Sequence, residues 1–166
     1  MSSIRTGSSG SSATSASHNP ASYSSACANW ILLAVIDPVL QKVVWTWGEG
    51  ELDGPHDPSV LPNGNLLVFD NGRRRGYSRI LEIDPRTGEI VWRFEASPPE
   101  SFWSHVRGSV QALPNGNVLI TESTKGHVFE ITRAGETVWD FWKPEFTGAK
   151  RSQIYRMTRH SIPPFR

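Results

Sequence analysis

Several features that would narrow the function are scarce in this chain of 166 residues. It has one cysteine, Cys27, which excludes an internal disulfide bond and a cysteine-based metal cluster. Its formal net charge is +1, so overall charge predicts no particular partner, and we expect no nucleic-acid partner. The apolar run Trp30–Ile36 is too short to span a bilayer, so no membrane partner is expected. Apolar residues are nowhere sustained at helical spacing.

An internal repeat is the clearest feature that the chain does have. The pentapeptide Leu-Pro-Asn-Gly-Asn occurs twice, at Leu61–Asn65 and at Leu113–Asn117. Three tryptophans, Trp45, Trp92 and Trp139, follow one another at a constant step of 47 residues. A step of this length is typical of proteins built from copies of one supersecondary unit. It argues against a generic antiparallel sandwich or meander.

Each complete copy of the repeat predicts four short antiparallel strands. The Asn-Gly pair inside the pentapeptide is a strong hairpin signal between the first two strands. The predicted strands are Ser59–Leu61, Asn65–Phe69, Arg79–Ile83 and Glu89–Phe94, then Ser109–Leu113, Asn117–Thr121, Val128–Thr132 and Glu136–Trp142. Four strands in a repeat of ~40–50 residues make a blade of a β-propeller. The predicted fold class is therefore all-β, a partial β-propeller of about two and a half blades of this kind.

The composition divides the chain into two predicted parts. Residues 1–29 are rich in Ser, Gly, Ala and Thr and have almost nothing apolar to bury, so we expect them to be disordered. They lack the basic start and apolar core of a signal peptide, and the compartment stays unassigned. Residues 30–166 are predicted to form the partial propeller and to end in a trailing segment, Arg151–Pro164. Ordinary propellers have roughly four to eight blades, so we expect a fragment, or an arc of a ring completed by missing blades or other copies.

Strand alternation assigns the loops to the two faces of the propeller. One face has only tight turns, whereas the other has longer loops that carry four of the five histidines and many of the arginines. Arginine binds oxyanions with a fork of donors, and histidine can act as a nucleophile near neutral pH. The second face is thus a candidate anion site, and the alternative is that its charges are merely solvated.

His56 is the sharpest single candidate on that face. It lies just ahead of a predicted innermost strand, where the loops of a propeller surround the central channel. The neighbouring Asp57 could orient an imidazole ring. The alternative is that both residues cap the blade through local hydrogen bonds.

A group of motifs around His56 resembles the bacterial-type arylsulfotransferase family. His56 is followed by the Leu61–Gly64 turn, by Phe-Asp-Asn-Gly at Phe69–Gly72 and by a Ser-Arg pair at Ser78-Arg79. The resemblance runs from about Val35 to Pro164 and is densest at 55–92. It implies a six-bladed propeller, of which this chain is a C-terminal-side fragment.

The resemblance also implies a reaction and a set of site residues. Family members move a sulfuryl group from an aryl sulfate ester to a phenol through a transient sulfohistidine, without a nucleotide donor. His56 is then the nucleophile, and Arg79 is a second catalytic residue near the sulfuryl oxygens. The expected substrate-binding residues are Asn71, Arg73, His105, Arg107 and His127. The partners are a small-molecule aryl sulfate and a phenol, with no metal and no cofactor. Because earlier blades are missing, the fragment could be inactive.

A second resemblance supports a different hypothesis. The spacing Asp84-x-x-Thr87-Gly88-x-x-x-Trp92 is similar to the tryptophan-docking motif of quinoprotein-like propellers. It implies a non-catalytic scaffold or ligand-binding module whose tryptophans lock adjacent blades. The two hypotheses differ at His56. The enzyme requires this histidine to face the channel with arginines nearby, whereas the scaffold requires only that it bond within its own blade.

Overall fold

The computed structural model describes residues Tyr23–Ala26 and 31–160, which are almost entirely strands, turns and loops. The strands are β1 (Tyr23–Ala26), β2 (Leu33–Asp37), β3 (Lys42–Trp47), β4 (Pro55–Val60), β5 (Leu66–Asp70), β6 (Arg79–Asp84), β7 (Glu89–Phe94), β8 (Ser109–Ala112), β9 (Val118–Glu122), β10 (His127–Ile131), β11 (Thr137–Trp142), β12 (Phe146–Thr147) and β13 (Lys150–Arg151). Two 3₁₀ turns lie at Pro99–Ser101 and Ser123–Lys125. Within this described part, no helix is long and apolar enough to cross a membrane.

Antiparallel pairing groups the strands into the predicted blades. Strands β1 to β3 form the first sheet, which has three strands. Strands β4 to β7 form the second sheet and β8 to β11 form the third, each with four strands in chain order, and β12 pairs with β13. The predicted all-β, partial propeller class is confirmed. In the two complete blades, the largest difference between predicted and observed strand bounds is at β4, which begins at Pro55 instead of the predicted Ser59.

The first sheet extends into the segment that was predicted to be disordered. Strand β1 lies within residues 1–29 and pairs along β2, with Tyr23 opposite Ile36 and Ala26 opposite Leu33. An edge strand is held by backbone N–H and C=O groups, so a composition poor in apolar residues does not prevent pairing. The prediction for residues 1–22 and 27–29, with Cys27, lies outside the described residues.

The blades stack through strands that are buried on both faces. Strand β5 has five consecutive buried residues, and successive side chains of a strand point to opposite faces. Leu66 and Val68 pack toward the first sheet, in a cluster with Leu33 and Leu81. Leu67 and Phe69 pack toward the third sheet. The complete burial of a large apolar side chain contributes about 1.5–3 kcal/mol, so this strand is a main source of cohesion between blades.

A recurring polar contact joins each complete blade to the segment that follows it. Trp92 donates its indole N–H to the carbonyl of Arg133 at 2.9 Å, and the Arg133 guanidinium lies 4.6 Å over the Trp92 ring and 2.5 Å from Glu82. Burial raises the pKa of Glu82, but hydrogen bonds from Asn65, Arg133 and Asn63 outweigh burial and hold that pKa below its usual value. The ion pair and the cation–π contact recur in the next blade, where Arg159 pairs with Glu130 and lies 5.4 Å over the Trp139 ring.

The trailing segment lies against the third sheet. Ile154 and Met157 pack on Leu113, Leu119 and Val128. Gln111 of β8 exchanges two hydrogen bonds with the backbone of Arg159 at 2.8 and 2.9 Å. The segment thus occupies the side of this blade where, one repeat earlier, the next blade packs.

Candidate functional site

His56 lies in β4 at an irregularity of the sheet. It pairs with Phe69, but the register shifts before Ser59 pairs with Leu67, so two residues of β4 oppose one of β5. Asp57, within this bulge, has a positive φ of 51°. Bulges bend a strand locally and re-aim its side chains, and they are frequent beside active sites. The bulge therefore sets the direction of the half-buried His56 ring.

The hydrogen bonds of His56 determine which ring nitrogen carries the proton. Its Nδ1 lies 3.0 Å from the carbonyl oxygen of Gly54 and 2.7 Å from Oδ1 of Asn71. A backbone carbonyl can only accept, so Nδ1 is the N–H donor. In the neutral ring the lone pair then lies on Nε2.

Asn71 connects His56 to the next blade. Its side chain is fully buried, and its Nδ2 donates to the carbonyls of Ser104 and Arg107, both at 2.5 Å. These two acceptors orient the amide so that Oδ1 faces His56. One buried side chain thus holds both the imidazole and the loop that carries Arg107.

Beside His56 lies a cavity of about 90 Å³, which the two blades and the trailing segment form together. Its lining residues are His56, Asp57, Arg107, Gly108, Ser109, Tyr155 and Arg156. Asp57 accepts from the backbone N–H of Val110 at 3.0 Å and lies 3.2 Å from Nη2 of Arg156. Two guanidinium groups and one carboxylate therefore surround the cavity, which leaves it an excess of positive charge.

Arg79 lies in a separate, buried ion network. Its side chain is 9% exposed, with Nε 2.8 Å from Asp70 and Nη2 2.7 Å from Glu51. Burial lowers the pKa of Arg79, but Asp70 and Glu51 outweigh burial and raise it above its usual value. Asp70 also pairs with Arg75 at 3.1 Å. These contacts commit the Arg79 guanidinium to protein carboxylates.

Comparison with known proteins relates this geometry to a family. The family model described as Arylsulfotransferase (ASST) matches residues 17–144, more than half of the chain. The chain belongs to the arylsulfotransferase family. It is also similar to the outer membrane protein assembly factor BamB of Nitrosomonas eutropha, with 31% identity over 80 residues. That match covers 48% of this chain and 16% of the relative.

Among solved structures, the chain is similar to a Bacteroides caccae protein of unknown function. The sequence identity is 18% and the TM-score is 0.43, over 72% of this chain and 57% of the other.

The structure brings together only some of the residues that the arylsulfotransferase resemblance implicated. Arg107 lines the cavity with His56, and Asn71 lies behind the His56 ring instead of facing the open cavity. Arg73 lies against Gly54 and donates to the carbonyl of His105 at 3.2 Å, and both side chains are exposed. These residues border the site without lining its cavity.

His127 does not line this cavity. Its ring stacks on Trp142 with centroids 3.9 Å apart and on Phe129 at 4.8 Å. Its Nδ1 lies 3.2 Å from the buried carboxylate of Glu122. The side chain is therefore part of the packing of its own blade.

Two residues that line the cavity, Tyr155 and Arg156, were not among the predicted site residues. Arg156 follows His56 by 100 residues. Strand alternation places Arg156 on the face with the longer loops only if the trailing segment begins another blade. The packing of Ile154 and Met157 on the third sheet brings it there.

Proposed function

We propose that this arylsulfotransferase domain moves a sulfuryl group from an aryl sulfate ester to a phenol, with His56 as the nucleophile. The observation that carries the proposal is the bonding of His56. Two oxygen acceptors hold its Nδ1 proton, so the bare Nε2 is left beside a cavity that Arg107 and Arg156 line. A histidine nucleophile divides the transfer into two displacements.

In the first displacement, Nε2 attacks the sulfur and forms an N–S bond while the S–O bond to the aryl group breaks. The aryl oxygen leaves with the bonding electron pair and takes a proton from solvent. Positive charge develops on the imidazole, and the two acceptors on Nδ1–H, Gly54 and Asn71, stabilise it. The arginines stabilise the negative charge on the sulfuryl oxygens.

In the second displacement, the oxygen of the acceptor phenol attacks the same sulfur. The N–S bond breaks, its electron pair returns to Nε2, and the phenol proton passes to solvent. His56 is regenerated as the same tautomer, because Gly54 and Asn71 hold the Nδ1 proton throughout. In this proposal Arg79 does not contact the substrate. It stabilises the site indirectly, through its ion pair with Asp70, the residue before Asn71.

The test compares two histidines that differ in surroundings. His56→Gln should abolish the release of nitrophenol from para-nitrophenyl sulfate in the presence of phenol. His127→Gln should leave the release near the wild-type rate, because that ring is stacked between aromatic side chains of its own blade. Equal rates for His56→Gln and the wild type would refute the proposal.

A non-catalytic scaffold is the second candidate function. It is favoured by the docking of Trp92, whose indole N–H bonds to the following blade, and by the bonding of His56 within its own blade. A scaffold gives no role to Nε2, which has no hydrogen-bond partner among the residues that the structure describes. A folded chain that neither binds nor turns over para-nitrophenyl sulfate would favour the scaffold.

A further inference from the structure

We propose that Tyr155 and Arg156, in the trailing segment, form the donor subsite of this centre. Arg156 binds the sulfuryl oxygens together with Arg107, and Tyr155 stacks on the aryl ring and so favours aryl over alkyl sulfates. The inference rests on the proposed function, since it concerns the substrate of the same histidine.

The backbone on both sides of the pair is anchored to the third sheet. Ile154 donates its N–H to the carbonyl of Ser123 at 3.2 Å, and the carbonyl of Tyr155 accepts from the Ser123 hydroxyl at 3.0 Å. Met157 donates its N–H to the Thr121 hydroxyl at 3.1 Å. Tyr155 and Arg156 are thus presented to the cavity by a fixed segment.

The size of the cavity indicates where each part of an aryl sulfate binds. A cavity of roughly 150 Å³ can hold one benzene ring, whereas this cavity has a volume of about 90 Å³. It accommodates a tetrahedral sulfuryl group but not an aromatic ring in addition. The ring must then lie at the mouth, where Tyr155 is 74% exposed. Aromatic rings pair with a free energy of about 0.5–1.5 kcal/mol beyond burial.

The charges favour Arg156 as an anion ligand. Within the described residues, Arg156 forms an ion pair with Asp57, through Nη2 at 3.2 Å. The Arg156 side chain is 52% exposed. Most of its five N–H donors are therefore available, and two of them can form a fork on a sulfuryl group. Arg107 is likewise exposed and lies 5.8 Å over the Tyr155 ring. In contrast, the guanidinium of Arg79 is enclosed by Asp70 and Glu51.

The experiment titrates the full chain with inorganic sulfate and with para-nitrophenyl sulfate, and follows binding by calorimetry. Arg156→Gln should weaken both ligands about tenfold or more, because a charge-assisted hydrogen bond contributes about 1.5–3 kcal/mol. The affinity of Arg156→Lys for both ligands should lie between those of Arg156→Gln and the wild type, since lysine offers a point charge in place of the two-pronged donor of arginine. Arg86→Gln is the matched control, because Arg86 pairs with Asp84 in an exposed turn.

Tyr155 is tested by the difference between the two ligands. Tyr155→Ala should weaken para-nitrophenyl sulfate about twofold to tenfold and leave inorganic sulfate unchanged, whereas Tyr155→Phe should bind both as the wild type does. A melting temperature measured for each variant identifies any loss of folding. With an alkyl sulfate of similar length, Tyr155→Ala should make no difference.

The outcomes separate this inference from the proposed function. If the wild type transfers no sulfuryl group, the proposed function fails, while the two titrations still decide the subsite. If transfer depends on His56 but Arg156→Gln, Arg156→Lys and Tyr155→Ala bind both ligands as the wild type does, the subsite is refuted alone. Equal losses of sulfate binding in Arg86→Gln and Arg156→Gln also refute it.

Discussion

Asn71 has two roles in this account, and replacing it tests both. In Asn71→Ala the carbonyl oxygen of Arg107 loses its donor, and that of Ser104 keeps only a 3.5 Å contact with the Ser78 hydroxyl. A buried polar group left without its partner costs about 1–3 kcal/mol. For two such groups we expect the free energy of unfolding to fall by about 2–4 kcal/mol.

Urea unfolding followed by tryptophan fluorescence measures this loss. With a slope of about 2 kcal/mol per M, the midpoint should fall by roughly 1–2 M. The matched control is Asn115→Ala, since Asn115 is exposed in a tight turn and donates to Glu130 at 3.0 Å. That variant should lose less stability than Asn71→Ala, because Glu130 keeps Asn117 and Arg159 as donors. If the two alanine variants were equally stable, the buried role of Asn71 would be refuted.

A second substitution separates the stability of the loop from the reactivity of the histidine. Asn71→Asp keeps an oxygen acceptor for the Nδ1 proton of His56 but offers no donor to the carbonyls of Ser104 and Arg107. It should therefore be destabilised as Asn71→Ala is, yet it should retain more of the nitrophenol release. A release rate that is lower in the Asp variant than in the Ala variant, when both are folded, would contradict the tautomer argument.

Three further predictions concern the packing of the blades. Gly108→Ala should destabilise the fold by about 1–3 kcal/mol in urea unfolding, because φ is +105° and an added Cβ would lie 2.8 Å from the Phe69 ring. Arg133→Gln should reduce stability most at neutral pH. The pKa of Glu82 is lowered in the fold, so its contribution is full above the unfolded-state pKa and is lost as the pH falls through the folded-state pKa. The difference in unfolding free energy between wild type and Arg133→Gln should therefore shrink in acid, and a constant difference would be inconsistent with the pair. Trp92→Phe should cost about 0.5–1.5 kcal/mol, measured in the same way, because the indole hydrogen bond to the carbonyl of Arg133 is lost and water can replace the donor there.

Much of the fold could be predicted from the sequence because the repeat places chemically similar residues at the same point of each blade. Trp45, Trp92 and Trp139 each pair beside a register shift in their sheets, opposite Val35, Glu82 and Glu130. Strand β1 could not be predicted in this way, since backbone pairing holds it and its composition is that of a loop.

The candidate site was less predictable because long-range contacts decide it. His56 was identified through its motif, but its tautomer depends on Asn71, 15 residues away, and on how that amide meets the next blade. Arg79 has the motif position expected of an anion ligand, yet sequence does not reveal that Asp70 and Glu51 enclose its guanidinium. Arg156 reaches the cavity only because its segment packs on the third sheet.

The most direct test of the central claim is to locate the sulfuryl group during the reaction. The full chain is mixed with para-nitrophenyl sulfate without an acceptor, quenched in base to preserve an N–S bond, digested and analysed by mass spectrometry. We expect one sulfuryl group on the peptide that contains His56 and none on the peptides that contain His105 or His127. Nitrophenol release with the sulfuryl group on another residue would contradict it, as would a folded chain that binds the ester and never gains a sulfuryl group on His56.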